Sequence, residues 1–209
     1  MTIQKLGWIL AAGMAGAIAA GGFQGKSDKV GVVDMEDVFQ SSPFTHDKQE
    51  ELKAMGDSRS QLLQFVHTYR TITPEQAQRL KTVMLKPNQS AGDKSEAEKI
   101  KTDVLAQDKA LKTLQQKKNP TPEEVTQLQT MSTRTQETAA MEDNWVREFN
   151  SDMNDQQGKV REQLLVKVKD SVQEVGKKQG YSLILNKVVA PYSANDVTAE
   201  TLKVMNAKK

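Results

Sequence analysis

From Pro122 to Lys178 the chain runs for 57 residues without a further proline, and with glycine only at positions 158 and 176. Little in that stretch stops a helix. At about 1.5 Å per residue, such a helix extends roughly 85 Å. A compact domain of 209 residues has no room for it, so it must project or pair lengthwise. Val146, Phe149, Met153, Gln156, Val160, Leu164, Val168 and Val172 follow one another at steps of three and four, the stripe a helix turns toward a neighbour. An earlier segment carries a similar stripe, Leu52, Met55, Leu62, Val66 and Tyr69, once Arg59 is counted in the series. The expectation is one long antiparallel helical hairpin, its first arm starting at Phe44 and its return arm ending near Lys178. Each arm would bury one stripe.

Three breaks punctuate the region. Thr73-Pro74-Glu75-Gln76 is a capping box with proline in the first helical turn. Lys86 to Gly92 reads as a loop. Asn119-Pro120-Thr121-Pro122-Glu123-Glu124 is a turn followed by a second capping box. The two segments that begin at Thr73 and Thr121 resemble each other, but one such pair is as well explained by reuse of a good helix start as by duplication. Shorter helices are therefore expected at about Pro74–Leu85 and Asp93–Lys118, elaborating the distal end of the hairpin. Hydrophobic residues are 37% of the chain and aromatics 5%, below the ~45–50% apolar share of ordinary globular domains. That fits arms with one buried stripe better than a large core.

The two ends have a different character. Lys29-Val30-Gly31-Val32-Val33-Asp34-Met35 is short, β-branched and apolar, and reads as a buried strand. Glu36 to Gln40 then forms a short helical turn with Asp34 as its cap, and Pro43 suits the first position of the next helix. Gly176 and Gly180 end the long helix. Tyr181 to Tyr192 is the most β-prone stretch in the chain, a strand with a hairpin turn at Asn186-Lys187. Asn195-Asp196-Val197-Thr198 caps a last helix, Ala199 to Met205. The fold class is thus α+β and mostly α, with a small β body built from N- and C-terminal strands around a helical excursion. So few short strands do not make an independently stable sheet, and exposed Val and Ile edges invite pairing. The strands of both ends are expected to pair with each other and to pool with those of other subunits.

The N-terminus reads as an export signal. Lys5 precedes a 15-residue uncharged run, Leu6 to Ala20, which contains Ala17-Ile18-Ala19, an A-x-A cleavage pattern. The alternative, an uncleaved anchor, is disfavoured because the run is shorter than the ~20 residues that span a bilayer. There is no cysteine, so no disulfide, thiol nucleophile or cysteine-based metal site is available.

Lys and Arg exceed Asp and Glu by only two, which provides no global attraction to nucleic acid. Locally the balance is uneven: residues 74–118 carry ten Lys/Arg against six Asp/Glu, and residues 119–160 three against eight. The favoured reading is mutual neutralisation of facing helices; the other is a basic distal surface for acidic clients or anionic lipid. His46 and His67 lack further ligands at metal-binding spacing. Trp145 and Phe149, four residues apart, face the seam. Met55, Met84, Met131, Met141 and Met153 lie along the helices, where flexible thioethers fill gaps or accommodate varied partners. No phosphate loop, nucleophile elbow or zinc-helix motif is present. No catalytic, cofactor-binding or metal-ligating residue is assigned, and the chain is not expected to be an enzyme.

Lys29 to Gln40, together with Gln179 to Asn186, Val189-Ala190-Pro191-Tyr192 and Asn195-Asp196-Val197-Thr198 before a Leu202-containing helix, resembles the opening and closing strands of the Skp/OmpH family of periplasmic chaperones. The resemblance covers residues 29–45 and 176–206 in pattern, and the signal and helical middle in architecture. It implies a homotrimer whose pooled strands carry three helical tentacles around a cavity. It further implies a holdase that binds unfolded outer-membrane proteins in the periplasm without ATP. The inserted helices at 74–118 look longer than the usual tentacle, and family members are often more strongly basic. The expected map is a signal peptide at 1–19, a linker at 20–28, β body at 29–43, tentacle with extra distal helices at 44–178, and β body again at 179–209. A different class of reading is a structural or adaptor coiled coil of the cell envelope that binds a folded partner. Weak contact with anionic envelope lipid is compatible with either.

Overall fold

The structure, a computed structural model, describes residues 29–191 and 194–207. The expected signal peptide and linker at 1–28, and Tyr192, lie outside the described residues. The elements in chain order are β1 (Val30–Val33), α1 (Met35–Ser41), α2 (Pro43–Thr68), α3 (Pro74–Met84), α4 (Ala91–Gln115), α5 (Pro122–Gln179), β2 (Leu183–Asn186) and α6 (Thr198–Ala207). The protein is mostly helical with a small sheet. Two compact units form, one from residues 29–51 with 156–207 and one from residues 52–155. Helices α2 and α5 each contribute to both.

In the first unit the two ends of the chain meet. β1 and β2 pair in parallel, Val30 opposite Leu183 and Val33 opposite Asn186. A single parallel bridge joins Val32 to Asp196 on the other side of β1, with the Val32 N–H donating to the Asn195 carbonyl at 2.8 Å and the Val197 N–H to the Val32 carbonyl at 2.8 Å. The pairing of both ends matches expectation; its geometry corrects one detail. The expected strand 181–192 shortens to Leu183–Asn186, and the turn at Asn186-Lys187 makes no hairpin among the described residues. The Val189 and Ala190 N–H groups instead close onto the Asn186 carbonyl at 2.8 and 3.1 Å. A parallel ladder needs a long crossover rather than a tight turn, and the helical excursion supplies it.

Side chains from every element of this unit bury one cluster. Met35, Val38 and Phe39 of α1, Leu164, Val168, Val172 and Val175 of α5, Ile184 of β2 and Met205 of α6 belong to it, with Val33, Tyr181 and Val197. Asp34 caps α1 by accepting from the Asp37 N–H. Helix α5 ends at Gly180 alone, whose φ of 72° suits a residue without Cβ. The Tyr181 N–H then closes on the Gly176 carbonyl at 3.0 Å. Gly176, expected to help end the helix, lies inside it and is buried. Its hydrogen faces Ile184, whose Cδ1 would stand 3.4 Å from an added Cβ.

The second unit has its own core. Leu62 and Val66 of α2, Ala77, Leu80 and Val83 of α3, Ala97, Ile100 and Val104 of α4, and Trp145 and Phe149 of α5 pack together around Ile72. This corrects the expectation that the arms bury only one stripe each. α3 and α4 bring apolar faces of their own, so four helices share the core. The α3 start is as expected, with Thr73 and Gln76 forming both halves of a capping box. Helix α4 begins at Ala91, ahead of the expected Asp93. A further box, Ser90 with Asp93, closes it there and draws Gly92 into the first turn. It ends at Gln115 rather than Lys118. At the start of α5 the Thr121 N–H donates to Glu124 at 2.8 Å, and the Glu124 N–H to Thr121 Oγ1 at 3.3 Å. Val146 is 40% exposed, not part of the seam. The buried stripe at that level runs through Trp145 and Phe149, one position earlier.

Gly31 illustrates how tightly the first unit is built, since a Cβ there would lie 2.9 Å from Cε1 of the Tyr181 ring. Gly31→Ala is expected to destabilise the unit by about 1–3 kcal/mol through overpacking. Gly158→Ala, where an added Cβ meets nothing within 4 Å, is expected to stabilise α5 by about 0.5–1 kcal/mol. Urea unfolding midpoints of the two variants should shift in opposite directions. A shared direction would contradict the packing described.

Candidate functional site

Three kinds of surface stand out among the described residues. The first is aromatic but closed. Trp145 and Phe149 are 5% and 4% exposed, with ring centroids 6.2 Å apart. Lys81 Nζ lies 5.1 Å from the Trp145 centroid and 5.3 Å from that of Phe149, while the Arg59 guanidinium carbon is 5.5 Å from Phe149. Glu148 in turn accepts from Lys81 at 2.6 Å. Cations held over ring faces and a buried site agree with the expected seam packing, so these rings are covered rather than presented.

The second surface is charged. Within residues 74–118, Arg79 pairs with Glu96, Lys86 with Asp93, Lys101 with Glu98 and Lys112 with Asp108. Only Lys81–Glu148 and Lys117–Glu124, among the described residues, cross to residues 119–160. Neutralisation between the oppositely charged segments is therefore partial, and much of it happens inside the basic segment. The acidic segment is also matched by α2 and the turn after it, through Arg59–Asp152 at 3.5 Å and Arg70–Glu142 at 3.4 Å. His67 Nδ1 lies 2.9 Å from Glu142 Oε1, and His46 is exposed. No group of three or more His, Cys, Asp or Glu among the described residues could hold a metal ion.

The third surface is apolar and open. In the second unit the buried cluster stops at Val104 on α4 and at Trp145 on α5. Beyond it, the C-terminal half of α4 and the N-terminal part of α5 flank a groove of about 800 Å³. Ala106, Ala110, Leu111 and Leu114 line one side and Gln127 and Met131 the other. Leu105 and Val125, on the same two helices, are 44% and 40% exposed. Met55, Met84, Met131, Met141 and Met153 are all half-buried, between core and solvent. In the first unit Val30, Val188 and Val189 are exposed along and beside the two-stranded sheet. The groove escapes sequence reasoning. Ala106, Ala110 and Leu114 show helical spacing, but the facing residues on α5 come from outside any local pattern.

The comparisons with known proteins add to this geometry. A family model described as outer membrane protein (OmpH-like) matches residues 29–205. The chain is similar to the chaperone protein Skp of Pectobacterium atrosepticum, at 26% identity over 198 residues, covering 94% of this chain and 96% of that protein. No solved structure matches.

Several carboxyls are held below their usual range. The Lys86 ammonium and the Ser90 hydroxyl and N–H lower Asp93, the Arg79 guanidinium lowers Glu96, and Lys117 with the Thr121 N–H lowers Glu124. Helix-start N–H groups and threonine hydroxyls do the same for Glu75 and Glu123, and the Thr198 hydroxyl for Asp196. Each binds its proton more weakly folded than unfolded. Their contribution is complete above the ordinary carboxylate range, about pH 4, and is lost as pH falls through the lowered values. The urea midpoint for helix loss should be lower at pH 3 than at pH 6, and the difference should shrink with salt because these groups are exposed. An equal or higher midpoint at pH 3 would contradict this electrostatic picture.

Proposed function

The chain belongs to the OmpH-like family, and from that premise we propose that it is a periplasmic holdase that shields unfolded outer-membrane proteins from aggregation without ATP. The family match over residues 29–205 carries the reading, with the similarity to a curated Skp chaperone in support. The structure is in keeping with it. A holdase needs a closed body and helical surface that offers many weak contacts. It acts by binding the unfolded form and shifting its equilibrium.

In this reading, residues 29–43 and 179–209 form the β body and residues 44–178 the tentacle, an antiparallel hairpin with extra distal helices. Support for the hairpin comes from contacts whose numbers run in opposite directions: Arg59 with Asp152, His67 with Glu142 and the Thr71 carbonyl with Arg134. Three chains pool their β bodies and enclose a cavity between tentacles. A sheet of two four-residue strands is marginal alone, and the exposed Val30, Val188 and Val189 are apolar surface that a second and third copy would cover. Lys94, Lys99, Lys109 and Lys118, which form no ion pair among the described residues, favour acidic client segments and weak contact with anionic envelope lipid. An export signal at residues 1–19 delivers the chain to the periplasm and is cleaved. No step of this function is catalytic, and none calls for a cofactor or nucleic acid.

The reading is tested by light scattering from an unfolded β-barrel protein diluted out of urea. Stoichiometric trimer should suppress the scattering, and mass measurement should find three chains with one client. Normal aggregation, or capture of a native protein with indifference to unfolded chains, would favour an envelope adaptor instead. Ile184 is 2% exposed within the first-unit core, so Ile184→Asp places a charge there at a cost of several kcal/mol. Sedimentation should show the wild type as a trimer and this variant as monomers. A monomeric wild type would overturn the pooled-sheet argument.

A further inference from the structure

The groove between α4 and α5 is flanked by residues of both helices. Ala106, Ala110 and Leu114 recur on α4 at steps of four, and Gln127 and Met131 recur on α5 at a step of four. All five face one groove of about 800 Å³. Small alanine side chains let another backbone approach closely, and the Met131 thioether adapts to whatever enters. Between Leu105 and Ser132 no residue is fully buried, so the two helices meet without a closed core and leave their apolar faces to an occupant. From Ala106 to Lys117 the lined length is about 17 Å, room for roughly eleven residues of helix.

Charge decides which occupant. Three charged residues line the groove: Lys109, Lys117 and Glu124. Lys117 and Glu124 satisfy each other across it, with both carboxylate oxygens 2.7 Å from Nζ. Lys109 forms no ion pair among the described residues, and neither does Lys118 just beyond. Lys112 is engaged by Asp108 at 2.7 Å. Among the lining residues the uncompensated charge is therefore that of Lys109, positive beside an apolar floor.

The geometry points to this groove as a docking site for a short apolar polypeptide segment that carries carboxylates at its flank, laid along α4 in the manner of a helix in a groove. The assignment deepens the holdase reading and rests on it, by naming the kind of client segment held at one place on each chain. The apolar face seats on Ala110, Leu114 and Met131 while an acidic side chain reaches Lys109.

The full chain is tested by fluorescence anisotropy with two labelled peptides of about twelve residues that share an apolar face and differ in Glu or Lys flanks. The Glu-flanked peptide should bind more tightly, and its advantage should shrink as salt rises from about 50 to 300 mM. Leu114→Glu should weaken its binding about tenfold, the scale expected when one apolar side chain no longer seats on the groove floor. Lys109→Glu, at an exposed position, should shift preference toward the Lys-flanked peptide. Val166→Glu, on an exposed part of α5 in the first unit, should change nothing, and circular dichroism checks that each variant keeps its helices. Equal binding of the two peptides overturns the choice of partner. Unchanged binding in Leu114→Glu, or uptake of anionic-lipid vesicles at the groove with no peptide binding, overturns the site. The same preparations are assayed for suppression of β-barrel protein aggregation. A wild type that suppresses aggregation yet binds neither peptide refutes the groove alone, whereas a wild type that fails to suppress it refutes the holdase reading itself.

Discussion

The parallel pairing of β1 with β2 is the constraint on which the first unit depends. Four residues near the start of the described chain lie against four near its end, from Val30 opposite Leu183 to Val33 opposite Asn186. About 150 residues must leave and return between them, at a closure cost that rises only by about 0.6 kcal/mol for each doubling of length. A body closed this way tolerates helices inserted far from it. The closure is secured on both sides of β1. Asp34, the cap of α1, receives Thr198 through its own N–H donating to Oγ1 at 2.8 Å, and Lys187 reaches Asp196 at 3.3 Å. Beneath the ladder, Val168, Val172 and Val175 of α5 supply the apolar face on which Ile184 rests.

The second unit is held together differently. Its helices are short of large apolar residues, yet the core is continuous because α3 and α4 each add an apolar face to those of α2 and α5. The rings best suited to hold foreign apolar chains, Trp145 and Phe149, lie inside that core beneath Lys81 and Arg59. What faces outward is weaker and more adaptable: half-buried methionines, a shallow groove and lysines without ion-pair partners among the described residues. A surface of this kind is in keeping with the proposed role, in which partners are held by many small contacts.

Much of this is legible in the residues because the deciding chemistry is local. Asp34, Thr73 with Gln76, and Thr121 with Glu124 announce helix starts through side chains that satisfy their own backbone. Gly180 announces an end through a left-handed φ that a side chain would resist. Ser90 with Asp93 carries the same kind of signal, obscured by Gly92 beside it. The stripe along α5 is legible through Phe149 and from Leu164 to Val172. It departs by one residue at Val146 because α5 changes neighbours along its length.

The sequence by itself determined a mostly helical chain with β-prone ends, the caps that divide its helices and the apolar residues available to bury. Those properties depend on neighbours three or four positions away. Only the tertiary structure decided that the end strands run parallel, that Gly31 must leave room for Tyr181, that the inserted helices share a core with the long ones, and that α4 and α5 leave a groove between them. Each of these is a contact between residues distant in the chain. Its geometry follows from which faces meet once the helices pack, and no local pattern encodes that.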